Sequence, residues 1–117
     1  MLSSLFQSST IPVLEQVVNF TEARHGVLAG NIANLDTPGY QTRDVDFQFE
    51  FMSLADGGRP RAIEVPGLVV KNDGNNVSLD REARLLAENS LRFNLASQLV
   101  KSEIRATQKA IEEGRSG

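Results

Sequence analysis

The chain has 117 residues, a net charge of −3 and no cysteine, which allows one modest domain. This charge gives no electrostatic basis for binding nucleic acid or an anionic membrane, and the lack of cysteine excludes disulfides and thiolate chemistry. The sequence shows neither a cleaved signal peptide nor the roughly 20 apolar residues that a membrane span needs. If the protein functions outside the cytoplasm, it therefore needs an export route that uses no cleaved signal peptide.

The first predicted element is a helix over residues 11–35. Pro12 suits its first turn, and Ser9 or Thr10 could cap it. Alternating steps of three and four residues predict a heptad-like seam. The seam residues are Ile11, Leu14, Val18, Thr21, His25, Leu28, Ile32 and Leu35.

A rigid joint is predicted directly after this helix, at residues 34–40. Asn34 and Asp36 tolerate the backbone conformations of a helix end, and Thr37 precedes proline, which disfavours helix at that position. Pro38-Gly39 fits a type II turn. Such residues position the chain and offer almost no catalytic chemistry.

The middle of the chain, residues 41–77, gives the weakest pattern. Three phenylalanines alternate with polar residues, namely Phe47, Phe49 and Phe51. Their alternation fits a strand, but the segment also fits a short helix or an irregular hook. We favour the helix or hook because no clear partner strand is nearby. Residues 55–60 indicate a loop. Residues 65–70 could form one short strand that ends in a turn at 72–76.

The second helix is predicted to begin after Ser78, a good N-cap, and to continue to Glu113, before Gly114 ends it. Asp80 and Glu82 favour the positive end of the helix dipole. Its seam consists of Leu79, Ala83, Leu86, Ser90, Phe93, Ser97, Val100, Ile104, Thr107 and Ile111. At roughly 50 Å, this helix is longer than a globule of this size needs.

These seams predict which residues pack the two helices together: Leu14, Val18, Leu28, Ile32, Leu86, Phe93, Val100 and Ile104. Other apolar or small residues lie off the seams: Phe20, Val27, Gly26, Gly30, Leu91, Leu95 and Leu99. A hairpin covers only one face of each helix, and soluble monomers avoid large exposed apolar patches. We expect the second set to contact neighbouring subunits laterally; alternatively, residues 41–77 fold over these faces.

Candidate catalytic and metal-binding residues are few. His25 falls on the first seam, where a polar residue that sets helix register is expected. Asp44, Asp46 and Glu50 lack the loop of a dedicated calcium site and indicate a solvated acidic stretch. Tight-turn chemistry before Ser78 accounts for Asp73–Asn76. We therefore expect no enzyme activity, no cofactor and no small-molecule substrate.

The joint also carries a resemblance to known proteins. Ala33-Asn34-Leu35-Asp36-Thr37-Pro38-Gly39-Tyr40 resembles the Ala-Asn-x-x-Thr-Pro-Gly-Tyr signature of bacterial flagellar axial proteins, which build the rod and hook. Three further stretches narrow the resemblance to proximal rod proteins, namely Leu28–Ile32, Asp73–Val77 and Leu79–Glu82. The motif residues are Asn31, Asn34, Thr37, Pro38, Gly39, Tyr40, Asp73, Gly74, Asn75 and Asn76.

The resemblance implies a structural subunit that assembles into the rod of the basal body, spans the periplasm and transmits torque. It implies as partners further copies of the chain, other rod proteins, the rod–ring junction protein and the membrane ring. It also implies export by the flagellar type III apparatus without a cleaved signal. A cytoplasmic helical adaptor or export chaperone is the alternative.

The expected fold is mainly α, with long N- and C-terminal helices that pair as an antiparallel coiled-coil-like hairpin. A short irregular or small β segment connects them. We expect residues 1–40 and 78–117 to form one structural unit, with residues 41–77 as the middle segment.

Overall fold

Two long helices form an antiparallel hairpin in the computed structural model, which describes residues 10–46 and 60–116. Helix α1 spans Ile11–Ala33 and helix α2 spans Leu79–Ser116. Strands β1, Arg43–Val45, and β2, Ala62–Glu64, pair antiparallel between the helices. The molecule is 71 Å long and 26 by 17 Å across. The expected mainly α hairpin with a small β middle is confirmed.

Helix α1 begins and ends through different local interactions. Its N-cap residue, Thr10, makes no side-chain cap bond, and Pro12 lies in the first turn. The helix ends at Ala33, two residues before the predicted end, because Asn34 leaves helical geometry with φ −102° and ψ 18°. The Asn34 side chain then donates to the Gly30 carbonyl at 2.8 Å, which satisfies a carbonyl of the last turn.

Helix α2 begins after Ser78, whose Oγ accepts a long 3.4 Å hydrogen bond from the Arg81 amide. Asp80 and Glu82 occupy its first turn, as the sequence predicts. The prediction that Gly114 ends this helix is wrong, because α2 continues through it to Ser116. One glycine costs a helix about 1 kcal/mol relative to alanine, which is too little to stop it.

The interior of the described chain contains more polar residues than apolar ones. Its buried apolar residues are Ile11, Phe20, Leu28, Val45, Val77 and Ala96. Its buried polar residues are Thr21, Arg24, Asn31, Thr42, Asn75, Asn76, Glu82 and Asn89. Because a buried polar group must be hydrogen-bonded to be stable, these residues fix where the segments meet.

The inner face of the hairpin differs from the predicted seams at several positions. Phe20, expected to contact a neighbouring subunit, is only 2% exposed and is corrected to an interior residue of this chain. Phe93 and Ile104, expected to pack between the helices, are 36% and 38% exposed. His25 is also exposed. At the level of Phe93, buried Asn89 and Ala96 occupy the inner face of α2 instead.

The middle segment has a partner strand that the sequence pattern did not reveal. In β1 and β2, Arg43 faces Glu64 and Val45 faces Ala62. The expected strand at residues 65–70 is wrong, since this stretch is irregular and turns at Gly67, with φ +77°. The predicted hook around Phe47, Phe49 and Phe51 lies outside the described residues. Within those ranges, neither helix is long and apolar enough to cross a membrane.

Candidate functional site

Asn31 is the centre of a buried polar network where the two helices and the joint meet. Its Nδ2 donates to the Arg43 carbonyl at 2.7 Å and to Glu82 Oε2 at 2.9 Å. Its Oδ1 accepts from the Tyr40 hydroxyl at 3.0 Å and from the Arg43 amide at 3.1 Å. The side-chain amide therefore uses two donors and two acceptor positions, its full hydrogen-bonding capacity. One residue of α1 thus holds the joint, β1 and α2 together.

Glu82 places a carboxylate inside this network. Its side chain is fully buried, and its Oε1 accepts a 2.7 Å bond from Arg81 Nη1 while Oε2 accepts from Asn31. Glu82 also lies in the first turns of α2, where the helix dipole favours negative charge. Three favourable interactions therefore compensate the loss of water around this carboxylate.

The joint has the turn geometry that its sequence predicts. The Tyr40 amide donates to the Thr37 carbonyl at 3.2 Å, and Gly39 has φ +74°, as expected at the second central residue of a type II turn. Before this turn, the Thr37 amide and hydroxyl donate to the Asn34 carbonyl and Oδ1 at 3.1 and 3.0 Å. Two consecutive turns therefore determine the direction in which the chain leaves α1.

The segment Asp73–Val77, which we call the second motif block, packs onto the joint through Asn75. Its Nδ2 donates to the carbonyls of Asn34 and Thr37 at 2.9 and 2.8 Å, and its Oδ1 accepts from the Val77 amide at 2.8 Å. The Gly39 amide donates to the Asp73 carbonyl at 2.9 Å. The segments at 34–40 and 73–77, far apart in sequence, therefore form one unit that leads directly into α2.

Asn76 ties the same block to the start of the middle segment. Its Oδ1 accepts from the Thr42 amide at 2.6 Å, and its carbonyl accepts from the Thr42 hydroxyl at 3.2 Å. The backbone amide of Asn76 donates to the Tyr40 carbonyl at 3.2 Å. Gly74 completes the contact, because its φ is +85° and a Cβ built there would lie 3.4 Å from the Gly39 Cα.

An ion pair that the sequence analysis missed attaches β1 to the middle of α1. Arg24 Nε and Nη2 donate to the two carboxylate oxygens of Asp44, each at 2.9 Å. Asp44 Oδ1 also accepts from the Val45 amide at 2.7 Å. The available signal was a basic residue at helical spacing between Phe20 and Leu28, which predicts an acidic partner across a buried face.

The structure gathers most of the predicted motif residues in one place. Eight of them take part in the hydrogen bonds described above, namely Asn31, Asn34, Thr37, Gly39, Tyr40, Asp73, Asn75 and Asn76. A ninth, Gly74, accepts a hydrogen bond from Gln41 Nε2 through its carbonyl at 2.8 Å. Pro38 lies exposed at the corner of the turn. Among the described residues, no group of three or more acidic or histidine side chains could hold a metal ion.

The residues expected to contact neighbouring subunits lie outside this network. Leu91, Leu95 and Leu99 are 71%, 57% and 46% exposed on α2; we call them the leucine row. On α1, Gly26 is exposed and Gly30 partly exposed, and a Cβ at either glycine would meet no atom within 4 Å. Val27 is half-buried.

The residues expected to pack the helices together are buried to different degrees. Leu28 is fully buried. The following are half-buried: Leu14, Val18, Ile32, Leu86 and Val100. Asn89 was missed by the sequence analysis; its Nδ2 donates to the Thr21 carbonyl at 2.6 Å across the hairpin.

The joint consists of the residues whose sequence resembles that of flagellar axial proteins. No protein-family model matches the chain. The flagellar basal body rod protein FlgB of Escherichia coli (strain K12) is 30% identical, with 86% of this chain and 91% of that protein covered. FlgB of Aquifex aeolicus (strain VF5) is also 30% identical, with coverages of 87% and 92%. FlgB of Salmonella typhimurium is 29% identical, with coverages of 86% and 91%. The chain belongs to the FlgB family of flagellar basal body rod proteins.

Proposed function

We propose that this protein is a structural subunit of the proximal rod of the flagellar basal body and that it assembles through the outer faces of its two helices. The leucine row carries this proposal. Each of its side chains is about half exposed or more, and burying a leucine fully gains roughly 1.5–3 kcal/mol. Three leucines on consecutive turns of one helix are the pattern of a surface that a partner covers.

The small residues of α1 support a second contact. Gly26 and Gly30 each cost α1 about 1 kcal/mol relative to alanine, and nothing within the described chain occupies the space in front of them. A helix of a neighbouring subunit can approach closely over glycines, and such an approach offsets their cost. The half-buried Val27 lies between them and completes this surface.

The joint contributes stiffness to the proposed role. A subunit that transmits torque must hold its helices at a fixed angle to the rest of the chain, and buried hydrogen bonds do so better than apolar contacts because they require defined geometry. Asn31 and Asn75 provide such bonds at the end of the hairpin. The proposal contains no catalytic step.

The same reasoning gives the expected surroundings of the subunit. We infer contacts with further copies of the chain, other rod proteins, the rod–ring junction protein and the membrane ring. Delivery would use the flagellar type III export apparatus without a cleaved signal, and the subunit would reside in the part of the rod that spans the periplasm.

The test is mass spectrometry of hook–basal-body complexes purified from the source bacterium. We expect several copies of the chain per complex. A deletion strain should lose motility and regain it with the wild-type gene. Detection in the cytosolic fraction alone would refute the rod proposal and favour the cytoplasmic adaptor or chaperone.

A point variant links that test to the leucine row. Leu95→Asp should leave the purified protein's circular dichroism unchanged, since Leu95 is exposed, but should remove the chain from basal bodies. Val70→Asp is the matched control, because Val70 is also exposed and apolar but lies outside the row. Equal incorporation of both variants would show that the row is not an assembly surface.

A further inference from the structure

A groove runs along one side of the seam between α1 and α2. It consists of two successive depressions of about 310 and 410 Å³. The first is lined by Glu15, Val18, Asn19, Ser97, Val100 and Lys101. The second is lined by Thr21, Glu22, His25, Asn89, Ser90, Phe93 and Asn94. We call this surface the seam groove. From Glu15 to His25 it extends about 15 Å along α1, at 1.5 Å per residue.

The leucine row lies on the opposite side of α2 from the seam groove. Leu95 is two residues from both Phe93 and Ser97, which line the groove, and two residues turn a helix by about 200°. The row from Leu91 to Leu99 is about 12 Å long. The hairpin thus has an apolar ridge on one side and a groove of similar length on the other.

Ridge and groove also lie at the same level along the hairpin. The Thr21–Asn89 and Asn31–Glu82 hydrogen bonds define the antiparallel register. This register places Leu95 between the levels of Glu15 and Val18, within the groove. Two copies side by side in the same orientation can therefore bring the ridge of one to the groove of the other without an axial shift.

Charge at the α1 rim of the groove agrees with this arrangement. Glu15 and Glu22 are exposed on the α1 wall of the groove, and Arg92 is exposed beside the leucine row. The same register places Arg92 between the levels of Val18 and Thr21, within about one helical turn of Glu22. Neither Arg92 nor Glu22 forms an ion pair with another described residue. A neighbouring copy would therefore bring opposite charges to the edge of the contact.

We propose that the leucine row of one copy packs into the seam groove of a second copy in the same orientation, with Arg92 beside Glu22. This inference rests on the proposed rod function and specifies its lateral contact. Row and groove are different surfaces, so the contact is heterologous, and each added copy presents a new row and a new groove. The contact continues from copy to copy and does not close into a two-fold dimer.

Cysteine cross-linking tests the contact directly, since the chain has no cysteine of its own. In basal bodies, Val18→Cys with Leu95→Cys should give disulfide-linked dimers and higher multimers on oxidation, whereas either substitution alone should not. Val13→Cys with Leu95→Cys is the matched control. Val13 is 56% exposed and lies five residues, or about 140°, around α1 from Val18.

The outcomes separate this inference from the rod proposal. If the chain is present in basal bodies but the Val13 pair links, or Leu95 links to a different protein, the inference is overturned and the rod role stands. Absence of the wild-type chain from basal bodies overturns both.

Charge exchange decides the matter if the cysteine pair does not assemble. Glu22→Arg and Arg92→Glu alone should each reduce incorporation by at least about tenfold, because each places like charges together. The double variant should restore incorporation. Failure of the double variant to recover while both purified single variants fold normally would overturn the inference.

Discussion

Replacing Asn31 by alanine tests whether the polar network holds the hairpin and joint together. The substitution removes four hydrogen bonds, to the Arg43 amide and carbonyl, to Tyr40 and to Glu82. The Glu82 carboxylate stays fully buried, and a lost bond to a charged group costs about 1.5–3 kcal/mol. The two backbone bonds add about 1 kcal/mol each, whereas half-buried Tyr40 can turn to water. We therefore expect the free energy of unfolding to fall by about 3.5–5 kcal/mol.

Urea unfolding of the purified protein, followed by circular dichroism at the helical minimum, measures this change. Asn94→Ala is the matched control, because Asn94 is an exposed asparagine on α2 and should lose less than about 0.5 kcal/mol. Asn31→Ala should also shift the midpoint without changing the slope, because the surface exposed on unfolding is nearly the same. A loss below about 1.5 kcal/mol for Asn31→Ala would refute the argument that the buried Glu82 depends on this amide.

Three further predictions test other parts of the structure. Gly30→Leu should not lower the unfolding midpoint, since no atom lies within 4 Å of the new Cβ and leucine favours helix more than glycine does, but it should abolish swimming. Normal motility would argue against close packing over this glycine. Gly39→Ala should lower stability by about 1–2 kcal/mol because φ there is +74°. Gly26→Ala should instead raise stability by up to about 1 kcal/mol. Indistinguishable thermal midpoints for these two variants would contradict the prediction. Arg24→Met should cost about 2 kcal/mol by leaving Asp44 without its bidentate partner, and Arg24→Met with Asp44→Leu should recover part of that loss in urea unfolding.

The helices and the turn could be predicted because their signals are local. A period near 3.5, a proline in the first turn and Ser78 as a cap indicate α1 and α2 within a few residues. Pro38-Gly39 specifies a type II turn through the backbone preferences of two neighbouring residues. Gly114 gave a wrong helix end because a single glycine is only a weak stop, and the favourable residues before it carry the helix onward.

Side-chain partners and the inner faces could not be predicted in the same way. The Asn31–Glu82 bond joins residues 51 positions apart, and the Asn75–Asn34 bond joins residues 41 apart. Such pairs depend on the path of the intervening chain, and no local pattern reports that path. Phe20 shows the same limit, since periodicity puts it off the predicted seam but cannot say that the interior of this chain covers it. Strand β2 was missed because three residues are too few for a period-two pattern to stand out.

The chemistry of asparagine explains why the joint depends on this residue type. The end of a helix and a tight turn leave backbone carbonyls and amides without partners, and a primary amide offers the same donor and acceptor groups as a peptide. Asn75 uses both to satisfy two carbonyls and one amide, and Asn31 pairs with both backbone groups of Arg43.

The joint and the hairpin differ in how completely the chain covers its own side chains. At the joint, the described chain satisfies its own polar groups and buries them. Along the middle of the hairpin it leaves the leucine row exposed. A protein that only had to fold would gain stability by covering these side chains itself. Their presence on the long part of the hairpin, away from the joint, is the arrangement expected of a subunit whose helices are completed by its neighbours.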